Sequence, residues 1–202
     1  MSVVRNTLDV SRVPTFAFGS RPITWFATWS IFAMEGTMFV VLVASYFFLR
    51  TRTASWPPEP LRAPDLLWGT LNTVIILASC VPNHFAVKAA KRLDLRGVRL
   101  WTIVTLLFAV AFALIRILEF KGLNCRWDQN AYSSIVWMNM GFHTTHIVTD
   151  MIDTLVLIAL MFVGPIEGKR FVDVAENGTY WYFVVALWVP LYVVLYIAPR
   201  FL

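Results

Sequence analysis

Five stretches of this chain are each long and apolar enough to cross a lipid bilayer, which leaves few folds open to it. A spanning helix needs about 20 mostly apolar residues at about 1.5 Å of rise each. The stretches from about Ile23 to Leu49, Leu66 to Val87, Arg99 to Leu118, Tyr132 to Val163 and Tyr180 to Pro199 meet that requirement. Of the 202 residues, 58% are hydrophobic and 14% charged, against about 25% charged in a soluble domain. That is too little polar surface to cover a globule in water. No strand-period alternation supports an outer-membrane barrel, and no internal repeat supports an inverted-repeat transporter. The sequence therefore predicts an all-α membrane protein, a five-transmembrane-helix bundle over residues 23–202. A polar, basic segment at residues 1–22 precedes it, without the short apolar core and cleavage site of a secretory signal.

The loops orient the bundle. With the N-terminus inside, the inner segments hold Arg5, Arg12, Arg21, Lys88, Lys91, Arg92, Arg96, Arg99, Lys169 and Arg170, and the outer ones Arg50, Arg52, Arg62, Lys121, Arg126 and Arg200. Ten basic residues against six favour N-in, C-out by the positive-inside rule. The net charge of +5 arises from these loops and points to an anionic leaflet, with no nucleic-acid partner.

The connections are short. Thr51 to Asp65 contains Pro57, Pro58, Pro60 and Pro64 and should be a stiff, ordered crossover. Pro82 should kink or end the second span, Pro165 should stop the fourth, and Pro190 should kink the fifth. Trp25, Trp56, Trp68, Trp101, Trp181 and Tyr182 read as interfacial belts. Cys80 and Cys125 fall far apart, which argues against a disulfide. Asn177-Gly178-Thr179 matches a glycosylation sequon, but on the inner side it is incidental.

Ionisable groups within the spans carry the chemistry, because they are costly there and face the bundle interior. Glu35 lies mid-span in the first helix, while His143, His146, Asp150 and Asp153 form a stripe on one face of the fourth. Rise alone puts Glu35 about 18 Å from the inner start of its helix and His143 about 17 Å from the outer start of its own. A Glu35–His143 or Glu35–His146 hydrogen bond is thus expected near the midplane. Several readings of the stripe compete. They are a metal site from His143, His146 and Asp150, haem ligation involving His84, a proton or ion path, and a satisfied polar network that fixes helix packing. Arg116 and Glu119 form a possible i,i+3 ion pair near the outer end of the third span, expected to snorkel to the interface.

Taken in order, several fragments resemble subunit III of the haem–copper terminal oxidases in its short, five-helix form. They are Glu35 with Phe39, Tyr46 and Phe47; WPPEP at Trp56 to Pro60; LNTVIILASC at Leu71 to Cys80; and RILEF at the end of the third span. Two more follow: AYSSIVWMNMGFHTTHIV, with Gly141-Phe142-His143-x-x-His146, and Tyr180-Trp181-x-Phe183-Val184 with Trp188. The family commonly has Gln where this chain has Arg116, His where it has Tyr182, and an acid where it has Val185. Asp150 and Asp153 lie where the family is mostly small or apolar.

The resemblance implies a subunit of a proton-pumping cytochrome c oxidase in aerobic respiration, with no redox centre, catalytic residue or metal of its own. It implies oxidase subunits I and II as partners, haem and copper in those partners, and a bacterial cytoplasmic membrane. It further implies phospholipids bound in a cleft between the first two helices and the rest, and support of proton uptake and enzyme lifetime through Glu35, His143 and His146. Three histidines are too few for the six that two haems and a copper require. An accessory subunit of a quinol oxidase or nitric oxide reductase is the neighbouring reading. A small stand-alone transporter or proton channel using Glu35, Asp150 and Asp153 is the reading from another class.

Overall fold

The computed structural model of the chain describes residues 23–164 and 166–201. The described residues form five long helices: α1 (Ile23–Arg50), α2 (Leu66–Lys91), α3 (Leu95–Lys121), α4 (Ala131–Val163) and α5 (Gly168–Tyr192). A π-helical turn (Val193–Ile197) and a 3₁₀ turn (Ala198–Arg200) continue α5. All five helical segments are long and apolar enough to span a membrane, and no strand occurs among the described residues. The polar segment 1–22 and the stop at Pro165 lie outside the described residues.

Helix α5 begins twelve residues before the apolar stretch that announces it, at Gly168 rather than Tyr180. Its first turns alternate charge with apolar side chains, which lowers a hydropathy average without breaking a helix. Phe171, Val174 and Ala175 are buried against Ala89, Ala90, Val98 and Met161 of the neighbouring helices, while Lys169 is exposed and Asp173 and Glu176 are half-buried. Helix α4 starts where Asn130 caps it, its side chain accepting from the Ser133 amide at 2.9 Å. Pro82 does not end α2, which runs on to Lys91 with the proline buried.

The main neighbours of α2 are α3 and α5, those of α4 are α3 and α5, and α1 lies against α4 and α5. The first two helices therefore do not form a separate unit. The cleft expected between that pair and the rest is replaced by a groove between α1, α4 and α5, lined by Glu35, Thr149 and Tyr180 among others. At one end of the bundle the Thr51–Asp65 crossover is tied down. The Asp65 amide donates to Gly122 O (2.9 Å), Asn124 Nδ2 to Asp65 Oδ1 (3.1 Å) and Arg200 Nη2 to Pro64 O (2.6 Å).

Two tryptophans expected at the interface are interior. Trp56 is buried, edge-on to Tyr46 at 5.1 Å and to Tyr132 at 4.8 Å. Trp181 is buried and donates to Ser79 Oγ at 2.8 Å. A tryptophan at the end of an apolar window is as well suited to a loop fold-back or a longer helix as to a headgroup layer.

Small residues set the closest approaches, as is common between membrane helices. Asn83 Nδ2 of α2 donates to Gly178 O of α5 at 2.8 Å. A β-carbon at Gly178 would collide with the Val87 side chain and lie 2.9 Å from Asn83 Oδ1, whereas one at Gly141 would meet nothing within 4 Å. Gly178→Ala should therefore destabilise the purified chain by about 1–3 kcal/mol through overpacking, with Gly141→Ala unchanged. Thermal unfolding of the two variants in the same detergent gives the comparison, and equal melting temperatures would contradict the α2–α5 contact.

Candidate functional site

Three polar clusters sit inside the bundle, and the histidine–aspartate stripe of α4 contributes to all of them.

The first joins α1, α4 and α5. Tyr180 Oη donates to Glu35 Oε2 at 3.0 Å and Oε1 at 3.2 Å, and His146 Nε2 lies 3.5 Å from Glu35 Oε2. His146 Nδ1 is 2.6 Å from the carbonyl of Phe142. A carbonyl only accepts, so Nδ1 carries a hydrogen and Nε2 is left to face Glu35. Nε2 and the carboxylate oxygen are thus neighbours at 3.5 Å. This is the Glu35–His146 pairing of the two that the sequence allows.

His143 takes no part in it. Its Nε2 is 3.1 Å from the carbonyl of Val184 and its Nδ1 is 3.3 Å from Arg116 Nη2. The carbonyl requires a hydrogen on Nε2, so Nδ1 accepts from the guanidinium and the ring is the neutral tautomer. The second cluster is built around that guanidinium. Arg116 Nη1 and Glu119 Oε2 form an ion pair at 2.9 Å, and both side chains are 1% exposed. Glu119 also accepts from Asn72 Nδ2 (2.6 Å) and Tyr196 Oη (2.5 Å), and Arg116 lies over Trp188 at 4.1 Å and Phe112 at 4.5 Å. The pair thus does not snorkel. Helices α2, α4 and the end of α5 enclose it and supply part of the hydrogen bonding that water would have given, with Arg116 Nε left without a partner.

The third cluster lies further along α4. Asn177 Nδ2 donates to Asp150 Oδ1 at 2.9 Å, and Thr154 Oγ1 donates to Asn177 Oδ1 at 3.1 Å. Asp150 is buried, while Asp153 is exposed in the groove between α1, α4 and α5. This groove, of about 600 Å³, is lined by the carboxyls of Glu35, Asp150, Asp153, Asp173 and Glu176, with Ala27, Ile31 and Leu157 among its apolar walls.

The structure therefore brings Glu35 to His146, Arg116 to Glu119 and His143, and Asp150 to Asn177. It leaves His143, His146 and Asp150 with separate partners instead of one shared site. Both ring nitrogens of His143 are engaged, and His84 is exposed on α2, so the two make no axial pair. Among the described residues no cluster of three or more His, Cys, Asp or Glu side chains could hold a metal ion, and Cys80 and Cys125 are free thiols. Asn177, Tyr196 and the pairing role of Tyr180 are not apparent from the sequence pattern. Asn177 shows there only as an incidental sequon, and nothing near Tyr196 marks it as the partner of Glu119.

Fold and site define an integral, multi-pass membrane protein whose polar interior joins its helices through buried hydrogen bonds and an ion pair. The family model for cytochrome c oxidase subunit III matches residues 25–199. Cytochrome c oxidase subunit 3 of Thermostichus vulcanus is 30% identical over 171 residues, covering 83% of each chain. The protein of that name from Corynebacterium diphtheriae is 25% identical over 170 residues, 81% of this chain and 82% of its own. A haem–copper oxidase subunit I+III of Aeropyrum pernix is 27% identical over 179 residues, 82% of this chain and 22% of the relative. The chain belongs to the cytochrome c oxidase subunit III family, and it is a subunit III of a haem–copper oxidase.

Truncating one partner of a buried ion pair leaves the other uncompensated, at a cost of about 3–5 kcal/mol. Arg116→Met should lower detergent stability by that order, and adding Glu119→Gln should restore most of it. A double-mutant cycle of thermal unfolding measures the coupling, and additive losses would argue against a functioning pair.

Proposed function

We propose that this subunit is non-redox, that it flanks oxidase subunits I and II, and that it stabilises the catalytic subunit and supports its proton uptake. Haem and copper reside in those partners, and phospholipid fills the apolar faces left open on α1. The chain lies N-in, C-out in a bacterial cytoplasmic membrane, so the α2–α3 turn and the start of α5 are on the inner side. The observation that carries this reading is the Glu35–His146–Tyr180 cluster. A carboxyl that lies beside an imidazole and borders an open groove is suited to exchange protons without redox chemistry. The Aeropyrum relative, named as both subunit I and subunit III, supports close association with a subunit I. The half-buried Glu35 and the buried His143 and His146 thus have a supporting role, and Asp150 and Asp153 are secondary to them.

A mild-detergent pull-down of the tagged chain, followed by a reduced-minus-oxidised spectrum and oxygen consumption, tests the assignment. Haem bands with oxidase activity are expected. A colourless, monodisperse preparation of the chain alone would overturn it. Glu35→Ala should shorten the turnover lifetime of the complex or loosen its association while leaving the haem spectrum intact. Loss of haem with assembly preserved would count against the supporting role.

A further inference from the structure

Asp150 and Asn177 form a wall shared by two cavities of opposite character. On one side is the open groove between α1, α4 and α5. On the other is an enclosed cavity of about 10 Å³ where α2, α3, α4 and α5 meet, lined by Asn83, Ala86, Thr102, Thr105, Asp150, Thr154, Val174, Asn177 and Trp181. Asn83, Thr102, Thr105, Asp150, Thr154 and Asn177 bring polar groups to the small cavity, although it lies inside a membrane bundle. The hydroxyl of Thr102 is buried there, with the residue 5% exposed, and makes no hydrogen bond.

A cavity holds one water when it offers at least about 10–15 Å³ and two to four polar partners. This one is at the lower limit of volume, and it has the partners. Thr102 Oγ1 is uncommitted, and the Asp150 carboxyl uses only Oδ1 towards Asn177. Leaving a buried hydroxyl unpaired costs about 1–3 kcal/mol, whereas a bridging water costs at most about 2.

We propose that this cavity is a one-water site, and that Asp150 exchanges a proton with the acidic groove while hydrogen-bonded to that water. The titratable groups around Asp150 are Glu35 on α1, Asp153 and His146 on α4, and Asp173, Glu176 and Tyr180 on α5. Helices α2 and α3 bring Asn83, Ala86, Thr102 and Thr105 to the inner cavity, none of them titratable. No Lys or Arg lines either cavity among the described residues. A proton arriving from the groove is passed from the exposed Asp153 side to a carboxyl oxygen of Asp150. There it forms an O–H bond that donates to the neutral water held against Thr102, which had donated to the carboxylate before, and that bond breaks when the proton returns to the groove. The proton enters and leaves on the groove side, so the site stores and returns a proton. It rests on Asp150, Asn177 and Thr102 of this chain, and it is independent of the role proposed for Glu35 and of the membrane orientation.

The test uses the full chain in its native membrane assembly. A high-resolution cryo-electron microscopy map, in sodium and in potassium buffer, should show one peak at hydrogen-bond distance from Thr102 Oγ1 in both. The near-isosteric Thr102→Val should lose that peak while Asp150 and Asn177 stay in place. A pH-dependent infrared carboxyl signal should vanish in Asp150→Asn and shift in frequency in Thr102→Val, with oxidase assembly unchanged in both. A wild-type map without the peak overturns the water site, and a peak that needs sodium reassigns the site to a cation. An infrared titration unaltered by Asp150→Asn overturns the exchange role even if the water is present.

Discussion

The buried pair of Arg116 and Glu119 is the constraint around which the bundle is arranged. A charged pair enclosed among helices is tolerable only if the protein itself replaces the lost hydration. Here each helix but α1 supplies part of that replacement. Asn72 comes from α2, Met140 and His143 from α4, Trp188 from α5 and Tyr196 from the π turn that follows it. Every one of those contacts fixes a rotation and a height, so the pair sets the register of four helices at once. Gly69 belongs to the same arrangement, because a β-carbon there would lie 2.6 Å from the Tyr196 ring and push the phenol off Glu119. The π turn, which begins three residues after Pro190, contains Tyr196. Wide turns of this kind commonly mark functional sites within helices.

The two histidines show how a single helix serves two environments. With about 100° per residue, His143 and Asp150 fall within about 20° of one another, as do His146 and Asp153. The two lanes are centred about 60° apart. The first lane points to α3 and α5 and the second to α1 and the groove. Backbone carbonyls then assign the tautomers. Phe142 O fixes the hydrogen of His146 on Nδ1, and Val184 O fixes that of His143 on Nε2. His143 becomes an acceptor for Arg116, and His146 turns its remaining nitrogen to Glu35.

The number of spans was legible because twenty apolar residues in a row have few alternatives in water. The start of α5 was not, because its first three turns bury one side only and average out as polar. The stripe on α4 was legible as a stripe, and the rise per residue placed Glu35 at a matching height. Its division into two lanes follows from offsets of seven, which single out His143 with Asp150 and His146 with Asp153. Choosing which lane faces α1 needs the packing of helices. The interior burial of Arg116 was beyond reach for a related reason. Its compensation comes from Asn72, His143, Trp188 and Tyr196, and no local pattern links residues so far apart. Asn177 is the clearest case. Local sequence marks it as a sequon, and only the approach of α5 to α4 makes it the partner of Asp150.

Helix α1 differs from the rest in how it is held. In its most apolar window 17% of residues are buried, against 44% in α5, and lipid tails are as good a solvent for its apolar side chains as the bundle is. Apolar contact alone therefore does little to choose which face of α1 turns inward. The directional contacts do that. Phe32 stacks on Phe183 at 4.4 Å, Phe39 lies against His146 at 5.2 Å, and Glu35 is held by Tyr180 and His146. Of these, only Glu35 carries an energetic penalty for facing hydrocarbon, so it is the residue that excludes the wrong rotations. The same carboxyl borders the groove. The group that orients α1 is thus also one that lines the groove, so replacing it alters both the groove wall and the attachment of the helix that carries it.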